Sequence, residues 1–196
     1  MKKNKRVPIF EEYKKCFSFI KESKKFIYFI TAIFFIFVLI GFFVTPPESV
    51  SSLLFDYIKG ILETTKGFDF QQMFGFIFSN NLQSSFLGLF FGIFLGIFPL
   101  FSSIGNGYVV GFVLSKSVLE EGLSVVFNLF PHGIFELPAV FISLGMGLKL
   151  GFTFFQNNWK KKILKNLLNS LRVFVLIVFP LLIIAAIIES ILIFAF

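Results

Sequence analysis

The sequence predicts an all-α, polytopic integral membrane bundle, and three observations carry that expectation. Of 196 residues, 56% are hydrophobic and only 15% are charged, against about 25% charged in an ordinary soluble domain. The charges crowd into a few segments, leaving uncharged runs long enough to cross a bilayer. The lysines and arginines are spread unevenly between those runs, as a multi-pass topology requires. The formal net charge of +7 fits the same frame: in a membrane chain it reports topology and contact with anionic headgroups, so nucleic acid is not expected as a partner. Cys16 is the single cysteine, which excludes an intramolecular disulfide.

Residues 1–25 form a basic amphipathic segment. Ile9, Phe10, Tyr13, Cys16, Phe17 and Ile20 recur at helical spacing, with Lys14, Lys15 and Lys21 off that face, which predicts a helix on the cytoplasmic membrane surface. The remainder, 26–196, reads as one membrane domain. "FIYFITAIFFIFVLIGFFV" (26–44) carries no charge and is the first expected span, uncleaved because no small-residue processing site precedes "TPPES". An amphipathic linker over 48–76 follows. In it Val50, Leu53, Leu54, Tyr57, Ile58, Ile61 and Leu62 make an i, i+3, i+4 stripe opposite Asp56, Lys59 and Glu63. Asp69 and Gln72 have the spacing of a capping box, so a second short helix is expected there.

The long apolar block that follows is divided at Pro99 and "SSIGNG" into expected spans over 78–98 and 101–116. Gly88, Gly92 and Gly96 recur every four residues, and Gly107 and Gly111 repeat the spacing; such small-residue seams let helix backbones approach in lipid. "KSVLEEGLSVVFN" reads as a connector. A fourth span is expected over 131–150, a basic amphipathic linker over 156–171, and a fifth span over 173–196. With about five spans, fifteen of the eighteen Lys and Arg fall on the N-terminal side of the membrane, which predicts a cytoplasmic N-terminus and an outside C-terminus.

That orientation places the polar groups. His132 and Glu136 are four residues apart on span four, so they share a face. Pro131 suits a first helical turn and Gly133 follows it, which puts Glu136 near a positive helix end. Glu189 lies in the outer half of span five, and Asn81 opens span two on the same side. The expectation is one outer polar cluster of His132, Glu136, Glu189 and Asn81, with Asn106 toward the inner half. A charged acid at the bilayer centre costs about 2.5–3.5 kcal/mol on the insertion scale, so these acids must be protonated, paired or hydrated. No catalytic residues are expected. One His and one Glu do not complete a metal site, and neither a zinc-protease spacing nor a serine elbow is present. No cofactor is expected either.

The stretches "NNLQSSFLGLFFGIFLGIFPLFSSIGNGYVVGFVL", "PHGIFELPAVFISLGMGLKLG" and "LLIIAAIIESILIF" resemble the stage II sporulation protein M family. The shared positions are Asn81, Gly92, Gly96, Asn106, Gly107, Pro131, His132, Gly133, Glu136 and Glu189. The resemblance implies a membrane scaffold for peptidoglycan-degrading partners rather than an enzyme. The leading expectation is therefore a non-enzymatic scaffold for membrane remodelling or for anchoring a partner complex, in the cell membrane, with protein partners or as a homo-oligomer. The rival is a small transporter or channel using His132, Glu136 and Glu189 as a proton or ion path.

Overall fold

The structure is a computed structural model that describes residues 9–122 and 124–195, with side chains described for all of these except 121, 124–132 and 134. Helices dominate the described residues. Four of them are long and apolar enough to cross a membrane, over Ile9–Phe43, Ile97–Glu120, Phe135–Thr153 and Trp159–Ala195. The expected second span is not among those four, because its helix carries Gln71, Gln72, Asn80, Asn81 and Gln83.

Helix α1 runs from Ile9 to Phe43 as one 35-residue rod, about 52 Å long at 1.5 Å per residue. The expected break between a surface helix and a first span does not occur. No glycine or proline lies between Ile9 and Ile40 to interrupt the helix. The basic half also has a core to join: Cys16 and Phe19 are buried with Val173, Phe174 and Val178, while Ile9, Phe10 and Phe17 stay exposed.

Helix α2 (Glu48–Thr65) follows the Pro46–Pro47 turn and buries none of its residues. Its attachment is aromatic: Phe55 meets Phe112 edge-on at 5.3 Å, and the Lys116 ammonium lies 5.8 Å from the Phe55 ring centre. Helix α3 (Phe70–Phe90) begins at the Asp69–Gln72 capping box, with the Gln72 N–H donating to Asp69 Oδ1 at 2.8 Å and the Asp69 N–H donating to Gln72 Oε1 at 3.0 Å. The box opens the helix of the second apolar segment itself, not a separate short helix as expected.

A 3-10 turn (Phe91–Ile93) then leads into Leu95 and Gly96, both left-handed at φ 55° and 73°. This is the true division of the apolar block. Pro99 does not divide it, because proline fits the first turn of helix α4 (Ile97–Glu121), and "SSIGNG" is helical. The expected connector shrinks to the Gly122 region, since helix α5 runs from Ser124 to Thr153. Pro131 and Pro138 therefore sit inside α5, and Glu136 is far from its positive end, contrary to expectation. Helix α6 (Trp159–Val173) continues through a π-helical turn (Phe174–Val178) into helix α7 (Phe179–Ala195). The basic linker and the fifth span are thus one continuous unit. The π turn precedes Pro180, which has no N–H to donate, and the Phe179 N–H reaches back to the Phe174 carbonyl instead.

Contacts fix the helix directions. α4 runs parallel to α1, with Ser103 Oγ donating to the Ile30 carbonyl at 3.0 Å and Gly107 and Gly111 against the Phe34 and Val38 carbonyls. α3 runs parallel to α5, with Ser143 Oγ donating to the Ser85 carbonyl at 2.7 Å. α7 is antiparallel to α3, with Phe179 on Phe78 and Phe194 near Phe70. The glycine seam lies within the chain. A Cβ on Gly92 would strike the Gly147 backbone, one on Gly88 the Leu144 side chain, and one on Gly151 the Gly96 nitrogen. α3 and α5 approach this closely because at each of these contacts at least one of the two facing residues is a glycine.

Candidate functional site

Helices α3, α4 and α5 enclose a cavity of about 280 Å³ whose wall includes Asn80, Asn81, Ser84, Asn106, Gly133 and Glu136. The first three come from α3, which presents positions 80, 81 and 84 on neighbouring faces of one turn. Asn106 comes from α4, and its Nδ2 donates to the Ser102 carbonyl of its own helix at 2.9 Å. Glu136 comes from α5, with Oε2 sequestered from solvent. Phe34, Val109, Val113 and Val140 supply apolar wall. The cavity opens sideways, since Asn80 and Asn106 are both exposed while Glu136 is half-buried.

The structure therefore brings Asn81, Asn106, Gly133 and Glu136 together. Asn106, expected toward the inner half, lines the same cavity as Asn81. Glu189 is on α7 and does not line this cavity; its Oε2 is sequestered within the bundle. Pro131 and His132 belong to α5 by backbone, but their side chains lie outside the described residues. Gly88, Gly92, Gly96, Gly107 and Gly111 serve helix contact. Among the described residues, no group of three or more His, Cys, Asp and Glu could hold a metal ion.

A model of the family described as Stage II sporulation protein M matches residues 30–192, which spans α1 from Ile30 to the last turns of α7. The chain belongs to that family. The cavity and both glycine contacts lie within the matched stretch. No match was found among curated proteins or among solved structures.

A second polar site, at the Lys149 end of the bundle, was not singled out by the sequence. Lys149 is nearly buried, with 12% of its side chain exposed. Its ammonium donates to Ser23 Oγ at 3.0 Å, lies 3.9 Å from the Phe19 ring centre, and is 4.0 Å from Glu22 Oε2. Thr153, one turn on, accepts from Asn166 Nδ2 of α6 at 2.9 Å. Arg172 of α6 pairs with Glu12 of α1 at 2.7 Å. These contacts tie α1, α5 and α6 at one end of the bundle. A lone lysine near a helix end carries no signal of this role, because such side chains ordinarily snorkel to water.

Proposed function

We propose that this member of the stage II sporulation protein M family is a non-enzymatic, multi-pass scaffold of the cell membrane. In this reading α3 crosses with the other four helices, the N-terminus is cytoplasmic and the C-terminus is outside. The bias of fifteen of eighteen Lys and Arg to the N-terminal side supports the orientation. The observation that carries the scaffold reading is α2. It is an amphipathic helix of 18 residues with none of them buried, and Val50, Leu53, Tyr57 and Leu62 are all exposed. An apolar face of this kind is covered by a membrane interface or by a partner seated there, not by its own chain. On the cytoplasmic side, α6 adds exposed Lys160, Lys161 and Lys165 beside exposed Leu164 and Leu168, a pattern suited to anionic headgroups.

The cavity at Glu136 favours transport as the second reading, because acids inside a membrane mark ion and proton paths. One experiment separates the two. Purified protein in proteoliposomes is assayed for proton and alkali-ion flux, beside Glu136→Gln and Glu189→Gln. The scaffold reading expects no flux from any form, and a stoichiometric partner retained on purification from native membranes. Flux that vanishes in Glu136→Gln replaces the scaffold with a transporter.

A further inference from the structure

The end of the bundle that holds Lys149 carries a collar of lysines at one level. The bond from Lys149 to Ser23 sets that level on α1 beside exposed Lys24 and Lys25, where the charged half of α1 ends and the apolar run from Phe26 begins. On α6, Lys165 is exposed and close enough for its charge to act on Lys149. The Phe26 and Phe152 rings meet there at 5.6 Å, and Phe152 is 46% exposed. Exposed aromatic rings beside lysines at the foot of apolar spans belong to the headgroup layer of a bilayer. α6 repeats the pattern. At about 100° per residue, exposed Leu164 and Leu168 share a face, with Lys160 on one side of it and Lys161 and Lys165 on the other. Leu168 lies only about 7.5 Å along the helix from Val173, where the apolar run of the last span begins.

We propose that this collar is a binding site for anionic lipids, with Lys24, Lys25, Lys149 and Lys165 holding the headgroup phosphate. The proposal rests on the membrane-facing reading of α6 given above and names the lipid chemistry that this end takes. Charge selects the occupant. Residues 9–25 and 149–172 carry eleven Lys and Arg against three Glu. Glu11 pairs with Lys14, and Glu12 pairs with Lys15 and Arg172. Glu22, 4.0 Å from Lys149, is the acid that remains to face the collar. A zwitterionic headgroup brings no net charge to offset this excess, whereas an anionic one does. An acidic protein segment matches the lysines but leaves the exposed Phe152 and Leu168 beside them uncovered. A lipid covers both, with its phosphate on the lysines and its glycerol and chains on the apolar groups.

The test uses the full chain in lipid nanodiscs, with Trp159→Phe and Phe152→Trp, so that the single indole sits one turn from Lys149. Quenching by brominated phosphatidylglycerol and by brominated phosphatidylcholine gives the ratio of their association constants. Phosphatidylglycerol should be preferred by about fivefold or more, the effect of one lysine near an anionic surface. Lys24→Gln, Lys25→Gln and Lys165→Gln together should bring the ratio close to one without moving the melting temperature in phosphatidylcholine. Arginine at the same three positions should keep the preference. Equal quenching by the two lipids in the parent overturns the proposal, as does a preference that survives the three glutamines. An indole quenched by neither lipid also overturns it, and gives the face to protein or water. Loss of the preference to added glycerol phosphate at fixed ionic strength overturns the lipid as the source and assigns the lysines to a soluble phosphate ester. The scaffold reading fails separately, since flux and a retained partner decide it.

Discussion

The ammonium of Lys149 rests 3.9 Å from the centre of the Phe19 ring, with the Ser23 hydroxyl 3.0 Å away. α1 and α5 are thereby pinned close to where the charged half of α1 gives way to its apolar half. Ser23 Oγ also donates to the Phe19 carbonyl at 2.7 Å, so ring, hydroxyl and ammonium form one connected unit.

Lys149→Ala removes the cation–π contact, the hydrogen bond and the packing of the lysine stem together. The expected loss is about 1–3 kcal/mol. Thermal unfolding in detergent checks it, and Lys149→Arg should recover part of the loss while Lys149→Glu should not.

Gly92→Ala brings a methyl group against the Gly147 backbone, which has no flexible end to move aside. A loss of about 1–3 kcal/mol or more is expected, as for overpacked cores. Gly60→Ala on α2, where nothing lies within 4 Å, should be neutral or mildly stabilising. Equal melting temperatures for the two variants would contradict the α3–α5 seam.

Asp69→Ala leaves the Gln72 N–H without its side-chain acceptor at the start of α3. Loss of such a cap costs about 1 kcal/mol. Hydrogen exchange should quicken over Phe70–Met73 and leave the cavity segment around Asn80 unchanged, because fraying stays within the first turn.

α2 should lie in the membrane interface. With Trp159 replaced by Phe and Tyr57 by Trp, the single indole should be quenched by lipids brominated near the headgroup. Leu53→Asp with Ile58→Asp should abolish the quenching. An unquenched indole in the parent would mean that the apolar stripe faces a protein partner instead.

What the sequence disclosed, and what it hid, divides by the range of the signal. The Asp69–Gln72 box and the α2 stripe depend on residues within one or two turns, and both stand where local spacing put them. Proline misled twice, because the residue alone does not distinguish a helix start from a position held inside one by its neighbours. Moving the start of α4 from residue 101 to Ile97 carries Asn106 into the body of the helix and into the wall of the Glu136 cavity. Moving the start of α5 back to Ser124 strips Glu136 of the helix end that was to stabilise it. The Lys149 site joins α1 to α5, and such pairings become visible only when helix directions and offsets are known.

The π turn at Phe174–Val178 works as a phase adjuster between two halves of one long helix. Each residue advances an α-helix by about 100°, so the extra residue that a π turn accommodates rotates everything beyond it by about that angle relative to everything before. α6 can therefore turn its lysines to water while α7, on the same continuous axis, turns Glu189 into the bundle. Deleting one residue from this turn would not shorten the span appreciably. It would swing the acid toward lipid, leaving a chain of nearly identical composition with its polar interior facing outward.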